Sequence, residues 1–116
     1  VIDIFGRVGG EEFFIVLPES SDQEAYLVAE RLRGCICMAP TLIADAKQVF
    51  ITISIGIATF NPRYCEEVNP ALILKRFFKM SDDAMYQAKS SGRNRTVAWK
   101  EWSSLKANPP TVYNLY

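Results

Sequence analysis

Hydrophobic and polar positions along this chain follow two different periods, and the switches between them mark its elements. Ile2 to Val8 and Phe13 to Leu17 read as strands, with Gly9-Gly10 between them and Pro18 closing the second. Two apolar runs joined by a short glycine-bearing turn predict a β-hairpin, because glycine reaches the positive φ that such turns need. A helical period then begins. Ser21 is the candidate N-cap and Glu24 lies three residues later, which is the capping-box pattern. Ala25, Val28, Ala29 and Leu32 recur at helical spacing and predict one buried face, with Gly34 as the stop. Residues 35 to 48 carry no clear period. Pro40 predicts a loop there, with room for a short strand from Cys35 to Met38.

The strongest strand pattern runs from Val49 to Ile57. Val49, Ile51, Ile53, Ile55 and Ile57 alternate with Phe50, Thr52, Ser54 and Gly56, so one face sits on a core. The small Ser54 and Gly56 leave room on the other face for a close neighbour. Asn69-Pro70 supplies an N-cap followed by proline at the first helical position. The helix it predicts runs to about Ser90 with an apolar stripe of Met80, Ala84, Met85 and Ala88, and its pattern allows a break near Met80-Ser81. Gly92 stops it, and Thr96 to Trp99 reads as a last short strand. The order strand, strand, helix, strand, helix, strand predicts an α+β domain over residues 1 to 99. Its sheet is expected to be mostly antiparallel, with the helices packed on one face. Lys100 to Tyr116, with Pro109-Pro110 and no period, reads as a C-terminal tail.

Composition narrows the function classes. The length of 116 residues suits one domain, and a hydrophobic share of 49% belongs to a folded chain rather than a disordered one. Thirteen basic and thirteen acidic residues leave no net charge, so nothing draws the chain to nucleic acid or to a membrane surface. Any phosphate site must therefore be local. The longest apolar stretch, Val49 to Phe60, is too short to span a bilayer. The opening Val1-Ile2-Asp3-Ile4-Phe5 has neither an initiator methionine nor a signal peptide and is read as a fragment boundary. Cys35, Cys37 and Cys65 form no pairing framework and have no histidine beside them, which predicts reduced thiols in a cytoplasmic protein.

Three constellations could carry chemistry. At the hairpin tip, Gly9 and Gly10 let a ligand approach the backbone, and Glu11 and Glu12 offer hard oxygens suited to Mg²⁺. A plain turn with solvated glutamates is the competing reading. At the end of the long helix, Lys89 and Arg93 are four apart and could both reach one anionic group. Cations at a helix C-terminus also complement the macrodipole without any ligand. Asp82 and Asp83 are neighbours in a helix, point in different directions and read as solvated. The chain has no histidine, which excludes histidine-dependent acid–base, triad and zinc chemistry, and it has no P-loop.

Taken together these pieces resemble the GGDEF family of diguanylate cyclases. The matching segments are Arg7-Val8-Gly9-Gly10-Glu11-Glu12-Phe13, Ala29-Glu30-Arg31-Leu32-Arg33, Ile53-Ser54-Ile55-Gly56-Ile57-Ala58 and Asp82-Asp83-Ala84-Met85-Tyr86-Gln87-Ala88-Lys89 running into Gly92-Arg93-Asn94. The resemblance implies a palm-like fold of the nucleotide-cyclase and ferredoxin-like kind. It also implies condensation of two GTP into cyclic di-GMP with Mg²⁺ or Mn²⁺, by two domains facing each other as a homodimer. Carried over by position, Glu11 is a metal ligand and the base toward the 3′-hydroxyl, with Glu12 supporting the site. Gly9 and Gly10 lie under the nucleotide, and Lys89 and Arg93 hold phosphates. Asp3 and Arg31 match part of an inhibitory product site whose arginine would fall before Val1. Ser81 departs from the family's usual small apolar residue before Asp82. The family's first strand and first two helices would also precede Val1, with a second metal-binding aspartate and the residues that read guanine. The 116 residues alone are therefore expected to be inactive on GTP, within a parent that is a cytoplasmic cyclase or the cytoplasmic end of a membrane-bound sensor. Two other readings stay open: a degenerate domain that binds GTP or cyclic di-GMP without making it, and a purely structural dimerisation module.

Overall fold

Ile55, Ile57 and Ala58 are almost wholly shielded from solvent, and the architecture is laid around them. The computed structural model describes residues 2–99, so the predicted tail lies outside the described residues. The elements are β1 (Ile4–Gly9), β2 (Glu12–Val16), α1 (Asp22–Met38), β3 (Thr41–Leu42), β4 (Gln48–Val49), β5 (Ile55–Ile57), α2 (Pro70–Ser90) and β6 (Thr96–Ala98). Single 3₁₀ turns at Ala44–Ala46 and Pro62–Tyr64 fill two of the connections. The predicted α+β class holds.

The sheet differs from expectation. The strands pair two by two, with β1–β2 and β3–β4 antiparallel and β5–β6 parallel. Parallel strands need a long crossover, and α2 supplies it between β5 and β6. The ladder is extended at both ends, where the Ile55 N–H donates to the Arg95 carbonyl at 2.9 Å and the Trp99 N–H to that of Ile57 at 2.7 Å. Of the long predicted strand Val49 to Ile57, only Val49, at the end of β4, and Ile55–Ile57 are paired. Alternation reports which face is buried; it does not supply the partner strand a ladder requires.

The two helices cover opposite faces of β5, which corrects the expectation of one face. Ile55 and Ile57 cluster with Ala29 of α1, with Ile15, Leu32, Ile53 and Ala98 packed around them. Gly56, between them, points the other way. A Cβ placed on it would run into the Ser81 carbonyl oxygen and the Met85 backbone nitrogen of α2. The room that Ser54 and Gly56 were predicted to leave is thus taken by a helix backbone. Burying both faces suits a parallel pair. Each buried isoleucine contributes about 2–3 kcal/mol by transfer from water.

Helix ends follow local chemistry closely. The Glu24 N–H donates to the Ser21 hydroxyl at 3.3 Å and the Ser21 N–H to the Glu24 carboxylate at 2.7 Å, completing the capping box. Ala25 and Ala29 are buried and Leu32 half-buried as predicted, whereas Val28 is exposed. α1 does not stop at Gly34 but continues to Met38, so Cys35 to Met38 is helix rather than strand. Glycine weakens a helix by about 1 kcal/mol without ending it. Pro40 ends it, because proline pushes the preceding Ala39 out of helical geometry, here to φ −97° and ψ 124°. The Asn69 side chain caps α2 at the Ala71 N–H, with Pro70 first in the helix. α2 is unbroken at Ser81, whose hydroxyl donates to the Phe77 and Phe78 carbonyls and leaves no polar atom unmet. Met80, Ala84, Met85 and Ala88 are all buried, as their spacing predicted.

Two outcomes test this packing. Gly56→Ala should lower stability by about 1–3 kcal/mol or more, since neither backbone can yield, and an unchanged melting temperature would refute the close contact. Glu24 is held below its ordinary value of 4.5, first by the Ser21 backbone N–H and then by its side chain. A lowered carboxyl stabilises the fold above its unfolded value and loses that effect as pH falls through the folded one. Glu24→Ala should therefore destabilise at neutral pH and make progressively less difference as pH falls through the lowered folded value, as read by thermal melts across pH.

Candidate functional site

The hairpin tip is built by a bulge and a tight turn. Arg7 pairs with Phe13 and Gly9 with Glu12, so Val8 is an extra residue on β1. Gly10 takes φ +55°, the left-handed region that glycine enters at no steric cost. Above Gly9 and Gly10 there is open space, with nothing within 4 Å of where a Cβ would stand. Glu11 is exposed at the apex, and Glu12 is half-buried as the first residue of β2. The Arg7 guanidinium donates to the Gly10 carbonyl twice, from Nε at 3.0 Å and Nη2 at 2.7 Å. One side chain therefore ties the strand to the turn that displays the carboxylates. This role was not visible in the sequence, because an arginine three residues before a glycine has no fixed partner until the turn forms.

The second group lies where α2 ends. Lys89 sits half-buried in the last helical turn and Arg93 is exposed just past it. Gly92, at φ +124°, follows the Ser91 C-cap as predicted. The Arg93 N–H then donates back to the Ala88 carbonyl at 3.0 Å, the long bond of a Schellman closure. Arg93 and Asn94 continue in the left-handed region at φ 60° and 47°. The Arg95 Nε donates to the Arg93 carbonyl at 3.1 Å. The helix dipole favours both cations at this end, as their sequence positions alone suggested.

The predicted residues thus gather into two pieces, Gly9 to Glu12 in one turn and Lys89 with Arg93 at one helix end. No ion pair joins the two pieces among the described residues. Asp3 lies exposed ahead of β1, and Arg31 lies exposed on α1; neither is ion-paired to the other. Asp82 is exposed and Asp83 pairs with Lys79 at 3.1 Å, in keeping with the solvated reading. The thiols of Cys35, Cys37 and Cys65 are free. Among the described residues no group of three Asp, Glu, Cys or His side chains surrounds a metal position. Glu11 and Glu12 nevertheless fit Mg²⁺ of the kind held by one or two carboxylates together with substrate phosphates, rather than in a protein cage. No helix among the described residues is long and apolar enough to cross a membrane.

Comparison with known proteins gives a consistent result. Residues 2–95 match the family described as diguanylate cyclase, GGDEF domain. The chain is 37% identical over 100 residues to diguanylate cyclase DosC of Escherichia coli, covering 84% of this chain and 20% of that protein. It is 37% identical over 97 residues to response regulator PleD of Caulobacter vibrioides, covering 83% and 20%. Diguanylate cyclase A of Treponema denticola is 35% identical over 98 residues, covering 84% and 24%. The chain spans about a fifth of the length of the first two of these relatives.

Arg7→Met should loosen the turn without unfolding the chain. The two hydrogen bonds are exposed, so their joint loss should cost about 1 kcal/mol. Amide exchange at Gly10 to Glu12 should quicken several-fold while global melting barely moves. Unaltered exchange there would refute the tie.

Proposed function

The chain belongs to the GGDEF domain family, and from that premise we propose that it carries the catalytic loop of a diguanylate cyclase that joins two GTP into cyclic di-GMP. The observation that carries this is the hairpin tip: a glycine floor open to a ligand, edged by Glu11, and held by Arg7. A family match alone would not distinguish a working loop from a decayed one.

In the proposed reaction the 3′-oxygen of each GTP attacks the α-phosphorus of the other, pyrophosphate leaves, and the hydroxyl proton is lost. Gly9 and Gly10 let the nucleotide lie against the backbone. Glu11 and Glu12 would hold Mg²⁺ or Mn²⁺, which when bound neutralises phosphate charge and lowers the pKa of the attacking hydroxyl. The Glu11 carboxylate, exposed at the apex, would accept that proton. Lys89 and Arg93 would grip phosphate oxygens, the first as a point charge and the second as a fork. Two palm-like copies, each presenting one GTP, would face each other, an arrangement that suits a reaction in which each nucleotide is both nucleophile and electrophile. A cytoplasmic setting, where GTP is found, suits the substrate.

The test uses the full-length gene product carrying this chain, incubated with GTP and Mg²⁺ and followed by chromatography. Cyclic di-GMP should form and should fall by about 10² or more in Glu11→Ala, the scale of removing a group that stabilises transition-state charge. The 116-residue chain alone should form none. A folded full-length protein that binds GTP or cyclic di-GMP yet forms no product would refute catalysis and favour a receptor.

A further inference from the structure

The loop that carries Arg93 is pinned from a distant part of the chain. Arg33, on α1, is half-buried and forks onto the Glu30 carboxylate, with Nη2 at 2.8 Å from Oε2 and Nε at 3.0 Å from Oε1. Its remaining Nη1 donates to the Asn94 Oδ1 at 2.9 Å and leans on the Asn94 carbonyl at 3.5 Å, across 61 residues of sequence. The Arg33 hydrogen bond, helped to a lesser degree by its opposed charge, holds Glu30 below its ordinary value. Glu30 thus fixes the guanidinium plane, and the guanidinium in turn fixes Asn94.

The position of that grip is informative. Arg93 and Asn94 are two consecutive non-glycine residues in the left-handed region, which costs Arg93 about 1 kcal/mol or more and Asn94 less, since asparagine enters that region most readily after glycine. Ordinary helix closure needs one such residue, and Gly92 already supplies it. The Ala88 carbonyl holds the Arg93 N–H on one side, and the Ile55 N–H holds the Arg95 carbonyl on the other. Without Arg33, nothing else among the described residues bonds the Asn94 side chain that completes the strained pair.

We propose that Arg33, held by Glu30, is a positioning residue: by gripping Asn94 it fixes the strained loop that aims Arg93 at the substrate phosphates. This rests on the phosphate-binding reading of Arg93 given above. Arg33 itself is engaged by Glu30 and Asn94 and acts through the loop.

The test is a double-mutant cycle in the full-length gene product, reading KM and kcat for GTP together with melting temperature. Arg33→Met should raise KM for GTP about three- to tenfold, equivalent to about 0.7–1.4 kcal/mol of lost binding, with a smaller effect on kcat. Asn94→Gly keeps the left-handed backbone accessible, removes the gripped side chain and should reproduce that change. In an Arg93→Ala background Arg33→Met should add little further, because the two act along one path. A lowered melting temperature with unchanged KM would make Arg33 merely structural and overturn the proposal. Additive effects of Arg33→Met and Arg93→Ala would overturn it as well. A wild-type protein that neither binds GTP nor forms product would overturn the reading of the site and this inference with it. An active wild type with unaffected Arg33→Met and Asn94→Gly variants would overturn this inference alone.

Discussion

The packing of the described residues is referred to the contact between the backbone of β5 at Gly56 and the backbone of α2 at Ser81 and Met85. A helix and a strand meet this closely only where the strand lacks a side chain. Because Gly56 lacks one, α2 lies directly on one face of β5 while Ile55 and Ile57 pack on α1 from the other. The strand is thus enclosed between two helices, and its edge pairs with β6. The same contact sets where α2 ends, since a helix fixed at residues 81 and 85 has its last turn fixed as well. Lys89 and the Gly92–Arg95 loop therefore inherit their position from a glycine more than thirty residues earlier in the chain.

The loop after α2 shows how a rigid frame is extended into an exposed segment. Helix closure by Gly92 and the Arg93 N–H is local. The left-handed Asn94 is not explained by closure, and the force that meets its strain comes from α1. α1 is in turn located by Ala29 against Ile55 and Ile57. Both anchors of the loop therefore lead back to the same strand. Arg7 does a similar task at the hairpin on a smaller scale, with one guanidinium holding one carbonyl. In both places an arginine is spent on protein oxygen rather than on a ligand.

What the sequence disclosed and what it hid divide along this line. Ser21 with Glu24, Asn69 with Pro70, and Gly92 were legible because a cap and its partner lie within a few residues. The stripe of Met80, Ala84, Met85 and Ala88 was legible from its period, and Gly56 was legible as a place for a close neighbour. The identity of that neighbour was not, so both helices were assigned to one face. Val49 to Ile57 showed its alternation, but its pairing depended on β3 and β6, which the pattern does not encode. Gly34 was over-read because a propensity cost of about 1 kcal/mol is weaker than the packing of a helix that Pro40 alone terminates. The signature hairpin was readable, although Gly9 and Glu12 fall within its strands and Gly10-Glu11 forms the turn. The two arginine ties were not, because one needs the turn already formed and the other joins residues 61 apart.

Charge placement completes the argument. A chain with no net charge could neutralise its site internally, pairing Glu11 and Glu12 with Lys89 and Arg93, and such a site would have nothing left to offer a nucleotide. The ion pairs among the described residues are instead local to the helices, Glu30 with Arg33 and Lys79 with Asp83. Such i,i+3 and i,i+4 pairs contribute only about 0.3–0.5 kcal/mol each when exposed. The carboxylates at the hairpin tip and the cations at the end of α2 are held on separate elements, with no ion pair between them. On the proposed reading, a nucleotide with a carboxylate-bound cation would present both signs at once, positive toward the glutamates and negative toward Lys89 and Arg93. Separated charge suits such a ligand, and on that reading Arg7 and Arg33, each bonded to protein oxygen, would hold the two halves in place.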